Sequence, residues 1–135
     1  MGKIPLPKEY FVWLKSIPDF IEYSDREWCI SSLSELEESV NIDGMKTPSW
    51  KQLSSYLTTY QQVTGENHAC DQNGKKIPLE RLRKCITIGD YNGDPLFIDP
   101  SDKFSVWCYH HDGGDVEKLA PSLKDFTKGA RPVDD

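Results

Sequence analysis

The run Ile86-Thr87-Ile88-Gly89-Asp90-Tyr91-Asn92-Gly93-Asp94-Pro95-Leu96-Phe97-Ile98-Asp99 constrains this chain more than any other segment. Two short apolar stretches flank a turn built of Gly, Asn and Asp. Asn and Asp side chains hydrogen-bond nearby backbone and tolerate left-handed conformations, so the cluster reads as a hairpin turn. Residues 104–109 and 116–119 follow as further strand-like runs, separated by the turn His111-Asp112-Gly113-Gly114-Asp115. Four consecutive strands make an antiparallel meander. In the third, Phe104, Val106 and Cys108 alternate with Ser105, Trp107 and Tyr109. Both faces are bulky, so helices or loops should cover the sheet on both sides.

The rest of the chain supplies that cover. Leu6, Tyr10, Trp13, Leu14 and Ile17 recur at helical spacing, which predicts a helix over 7–16 that Pro18 stops. Segments 20–23 and 28–30 read as two edge strands joined by Ser24-Asp25-Arg26. Ser32 or Ser34 caps a short acidic helix ending at Glu38. Residues 41–46 read as a loop with an Asp43-Gly44 turn. A longer helix is expected from a Thr47 N-cap and Pro48, with Leu53, Tyr56, Leu57, Tyr60 and Val63 on one face and Gly65 as its stop. Asn73-Gly74 marks a turn, and the basic residues Lys75, Lys76, Arg81, Arg83 and Lys84 lead into the meander. Ser122, with Asp125 three residues on, caps a final helix that Gly129 ends, and residues 129–135 form a frayed tail.

The fold expected is therefore α+β, a mainly antiparallel sheet with helices packed around it. One domain spans residues 1–135, with its core at about residues 6–128. A chain of 135 residues with four Trp, six Tyr and five Phe buries a sufficient core without disulfide staples. Cys29, Cys70, Cys85 and Cys108 lack zinc-knuckle spacing and are read as reduced thiols. No signal-peptide core follows the N-terminus and no run reaches membrane-span length, so the expected location is the cytoplasm. The net charge of −6 argues against nucleic acid or an anionic membrane as the main partner, and favours a basic protein.

Few motifs carry chemistry. Asp90, Asn92, Gly93 and Asp94 fail the calcium-loop pattern, because its sixth and twelfth positions hold Pro95 and Ser101. His110, His111, Asp112 and Asp115, with Cys108, outline a metal set, but adjacent strand residues point to opposite faces. The basic cluster lacks a Gly-rich phosphate loop, and no GxSxG elbow is present. No cofactor, metal or catalytic residue is assigned. Residues 89–117 hold seven acids against the single Lys103, which makes an acidic face for docking the sharper reading of the meander rim.

Several segments carry a family resemblance. Leu6-Pro7-x-x-Tyr10-x-x-Trp13-Leu14 resembles the opening helix of the SUKH superfamily. Ile86-x-Ile88-Gly89-Asp90-x-x-Gly93-Asp94-x-Leu96-x-x-Asp99 is similar to its central strand–turn–strand signature, Val106-Trp107-x-Tyr109-His110-His111-Asp112-Gly113-Gly114 to the strand and turn that follow, and Ser122-Leu123-x-x-Phe126 to its closing helix. Residues 20–77 match no family motif. The resemblance implies an α+β fold and no established catalytic residues. It implies an immunity protein that neutralises a cognate polymorphic toxin, often a nuclease or deaminase domain. The alternatives are a regulatory module of the cell-wall-synthesis type and, remotely, a metal-dependent enzyme. The partner-binding face expected on this reading comprises Asp90, Asp94, Asp112, Asp115 and His111, with Tyr91, Trp107 and Tyr109 as aromatic anchors.

Overall fold

The computed structural model describes residues 4–133. Helix α1 (Lys8–Leu14) leads into strands β1 (Phe20–Tyr23) and β2 (Arg26–Ile30). Helix α2 (Leu33–Glu37), the hairpin β3 (Ser39–Ile42) and β4 (Met45–Pro48), and helix α3 (Gln52–Thr64) follow. A second hairpin, β5 (His68–Cys70) and β6 (Lys76–Pro78), and the single turn α4 (Leu79–Leu82) precede the meander. The meander is β7 (Ile86–Tyr91), β8 (Asp94–Asp99), β9 (Ser105–His110) and β10 (Asp115–Ala120). Helix α5 (Leu123–Gly129) and β11 (Arg131–Pro132) close the chain.

Among the described residues the main sheet has seven strands in the order β10-β9-β8-β7-β2-β1-β11, antiparallel at every pairing. The meander pairs as the sequence predicts, and its alternation sorts side chains into two cores. Leu96, Ile98, Val106 and Cys108 join Tyr10, Trp28, Leu36 and Phe126 on one face. Phe97, Trp107, Tyr109 and Val116 join Leu53, Leu57, Ile77 and Leu82 on the other. Helices α1 and α5 therefore cover the first face, and α3, α4 and the β5–β6 hairpin cover the second.

Several local expectations change. Strands β1 and β2 are not edges: β2 pairs with β7, and β1 with β11. Buried Trp28 and Ile30 supply the apolar side chains that hold β2 inside the sheet. Within the tail expected to fray, Arg131–Pro132 instead pairs with β1, while residues 134–135 lie outside the described residues. Residues 41–46 are not a loop but the turn and flanks of the β3–β4 hairpin, where the Asn41 side chain accepts from the Gly44 amide at 2.9 Å. Thr47 and Pro48 belong to β4, because Thr47 pairs with Val40, and a 3-10 turn (Ser49–Lys51) starts the helical segment instead. Phe104 sits in the turn before β9 at φ 53°. Val63 lies off the buried face of α3 at 79% exposure. Ser32, not Ser34, caps α2 in a capping box with Glu35.

Strands β2 and β10 are separated by three others, about 19 Å in a flat sheet. Yet Arg26 donates to both Glu117 carboxylate oxygens, at 3.2 and 3.0 Å. The two side chains meet because the sheet twists and curls toward the face carrying Trp28. The Arg26 guanidinium lies 5.0 Å from the Trp28 ring centroid and 5.9 Å from that of Tyr91. Trp28 in turn donates through Nε1 to the Tyr23 carbonyl at 3.0 Å.

Two substitutions check this packing. A Cβ on Gly89 would lie 2.1 Å from the Cys29 carbonyl oxygen, in backbone that cannot yield without breaking the β2–β7 pairing. Gly89→Ala is expected to cost on the order of 3 kcal/mol in urea unfolding. The Tyr10 hydroxyl is buried with no hydrogen-bond partner among the described residues. Tyr10→Phe removes that desolvated group and is expected to raise stability by about 1 kcal/mol in the same measurement.

Candidate functional site

Hairpin geometry places the β7–β8 and β9–β10 turns at one end of the sheet and the β8–β9 turn at the other. The seven acids between Gly89 and Glu117 are thereby divided. At the β8–β9 end, Arg81 donates to Asp99 at 2.7 Å and approaches Asp102 at 3.7 Å, while Lys118 reaches Asp102 at 3.0 Å. The Lys118 hydrogen bond, aided by Ser105 and by Arg81, outweighs burial and holds Asp102 below the usual carboxylate range. The two arginines of the basic cluster are thus engaged within the protein: Arg81 on these acids, and Arg83 on Ser54 and Thr58 of α3.

The opposite end is the acidic rim. Asp90 accepts from the Gly93 amide at 3.1 Å and shapes the first turn. Asp94 accepts from the His111 amide at 3.1 Å and from its Nδ1, which ties the first turn to the second. His110 Nδ1 lies 3.4 Å from the other Asp94 oxygen. The two histidines were expected to diverge, but β9 ends at His110, so both turn toward one carboxylate. His110 Nε2 lies 3.2 Å from Glu117 Oε1, which connects the rim to the Arg26 contact. Asp112 and Asp115 are exposed, with the Asp112 side chain 96% accessible.

The expected anchors divide. Tyr91 is half-buried against Trp28 at the rim, 5.4 Å between ring centroids. Trp107 and Tyr109 are largely buried, at 4% and 2% exposure. Trp107 stacks on Phe97 and donates to the Ser105 hydroxyl at 2.7 Å, so it is core. Tyr109 packs in the second core, but its side chain also lines an open pocket of about 360 Å³ between α3 and the β9–β10 turn. Tyr56, Tyr60, Asp43, His111 and Asp112 share that pocket. Sequence reasoning missed Asp43, Tyr56 and Tyr60 as site residues. The two tyrosines looked like ordinary positions on an apolar helix face, and their partial exposure beside the acidic turn left no signal in spacing.

The residues best placed to hold a metal ion are Asp94, Cys108 and His110, whose ligand atoms lie within 4.8 Å of one another. Their chemistry is already occupied. Both His110 nitrogens face carboxylates, and Asp94 takes the His111 donors. Burial, then the charge of Asp94, pushes the Cys108 thiol up to about 12, against an opposing pull from Arg26. The cluster is a hydrogen-bonded network whose members already have partners.

The profile of the SMI1 / KNR4 family (SUKH-1) matches residues 3–129. The chain belongs to this family, as its motifs and its helix-covered antiparallel sheet anticipate. No match is found among curated proteins, and none among solved structures. Among the described residues, no helix is long and apolar enough to cross a membrane.

Burial pushes the Glu117 carboxyl up, but hydrogen bonds and charge from Arg26, then from His110, outweigh it and leave the group below its ordinary range. A carboxyl lowered by folding contributes stability above its unfolded value, about 4.3 for Glu. That contribution is lost as pH falls through the lower, folded value. Glu117→Gln is expected to cost about 1 kcal/mol near neutral pH, a figure kept small because both partners are partly solvated. The deficit should shrink as the pH drops below about 4. Urea midpoints of both proteins across that range check it.

Proposed function

We propose that this protein is an immunity-type binding protein, without catalytic activity, that neutralises a cognate toxin domain in the cytoplasm of its own cell. The observation that carries the reading is the acidic rim. The β7–β8 and β9–β10 turns converge through Asp94 and His111, while the acids of the opposite end are neutralised by Arg81 and Lys118. Asp90, Asp94, Asp112 and Asp115 are left without a Lys or Arg partner among the described residues, which suits a basic nuclease or deaminase domain. Family membership supports a binding role.

The rim acids serve different purposes on this reading. Asp90 and Asp94 shape the turns. Asp112 and Asp115 project from them and steer the encounter.

The test begins with affinity capture from the source cell at low and high salt, with mass spectrometry of what is retained. A stoichiometric partner with a basic toxin domain, whose toxicity is relieved by co-expression, supports the reading. With that partner, Asp112→Asn/Asp115→Asn is expected to slow association about three- to tenfold at low salt, with little change in dissociation. The difference should fade at high salt. Equal association rates for the variant and the parent protein would remove the rim from the interface.

A second reading is a regulatory scaffold. It is favoured by a separate apolar groove of about 330 Å³, lined by Phe11, Leu14, Ile17, Ile30 and Leu33, since a scaffold needs two binding surfaces. Capture of several housekeeping proteins in place of one toxin would support it.

A further inference from the structure

We infer that the pocket between α3 and the β9–β10 turn is a receptor for one arginine side chain, which on the docking reading above belongs to the basic partner. The first argument is Tyr109. Its side chain is 2% exposed and lines the pocket, yet its hydroxyl has no hydrogen-bond partner among the described residues. That hydroxyl meets the open pocket, where a donor from an occupant can take the place of water. Burial, then Tyr60, Asp115 and Tyr56, raises its pKa to about 12, so it remains a neutral hydroxyl that accepts a donor through its lone pairs.

The second argument is charge. Asp43 and Asp112 lie in the pocket wall, and among the described residues no Lys or Arg does. The negative field is felt at Tyr56, whose hydroxyl is pushed up by burial and then by Asp43, Asp90 and Asp94. Such a site repels anions and attracts a cation.

The third argument is shape. The Tyr56 ring lies 6.1 Å from the Tyr109 ring and 6.2 Å from that of His111, centroid to centroid. Aromatic faces of this kind hold a cation, and a planar guanidinium stacks on them better than an ammonium does. Its several N–H donors suit the carboxylates and the Tyr109 oxygen together. Val63, 79% exposed in the same wall, fits the aliphatic stem. The site is also preformed. Tyr60 is fixed by donating to the His68 carbonyl at 3.0 Å, and it lies so close to Gly114 that a Cβ there would meet its ring at 2.3 Å.

The probe is Nα-acetyl-arginine amide, titrated into the full chain while backbone amide shifts are followed by NMR. A saturable response centred on Thr59, Tyr109, Gly113 and Gly114 is expected. The uncharged citrulline counterpart should bind at least about tenfold more weakly, since a hydrogen bond to a charged group is lost. Tyr109→Phe keeps the ring and removes only the unpartnered hydroxyl, so folding is preserved, and affinity should fall about three- to tenfold. Asp43→Asn, which tolerates the left-handed backbone at this turn, should weaken binding to a similar degree. A linear, unsaturable response, equal binding of citrulline, or shifts centred elsewhere would overturn the assignment. Absent arginine binding in a chain whose partner still responds to Asp112→Asn/Asp115→Asn removes the pocket and leaves the docking reading intact. Saturable arginine binding in a chain that captures no basic protein sustains the pocket and removes that reading.

Discussion

The meander is buried on both faces, and the rest of the structure follows from that demand. Strands β8 and β9 send alternate side chains into two separate cores. A sheet used in this way cannot leave either face to water, so the chain must supply a layer on each side. Helices α1 and α5 form one layer, and α3, α4 and the β5–β6 hairpin form the other. Layers on both sides also allow the sheet to curl. The curl brings Arg26 of β2 to Glu117 of β10, and an aromatic pair, Trp28 and Tyr91, supports the guanidinium at that junction.

With the strands sealed, the turns are what the meander shows to solvent. Their parity sorts charge. The β8–β9 turn meets basic residues from α4 and β10, which cancel its acids. The β7–β8 and β9–β10 turns meet hydroxyls and rings from α3, which do not. The acids of the meander that no Lys or Arg pairs are thus gathered at one end, among the described residues. That same end holds the pocket, walled by α3 on one side and by the β9–β10 turn on the other.

The sequence was most readable where local chemistry decides the outcome. The meander, the α1 face, the Ser122 cap and the Gly65 stop rest on alternation, helical spacing and capping, all of which act within a few residues. The errors cluster where pairing over distance overrides local preference. Pro48 looks like a helix start, but cross-strand pairing of Thr47 with Val40 delays the helix. Arg131 and Pro132 look like a loose end until β1 is placed beside them. The rim was legible as charge, since Asp and Gly turns announce themselves. Its extension across α3 was not, because Tyr56 and Asp43 enter the site only through the packing of one layer on another. The burial of Trp107 was hidden for a related reason: bulk on a strand face does not reveal which layer covers it.

The strand order has a bearing on how the molecule is made. Strands β1 and β2 leave the ribosome early, but their neighbours in the sheet are β11 and β7. The first hairpin therefore cannot bury Trp28 until the meander exists, and β1 remains an open edge until residue 132 has emerged. Contacts this distant in sequence slow folding, because loop closure precedes their reward. The meander, built from adjacent strands, is the natural template, and the N-terminal hairpin docks onto it afterwards. Until β7 has been made, a nascent chain of this design exposes an aromatic strand with one edge unpaired, the kind of surface that chaperones bind.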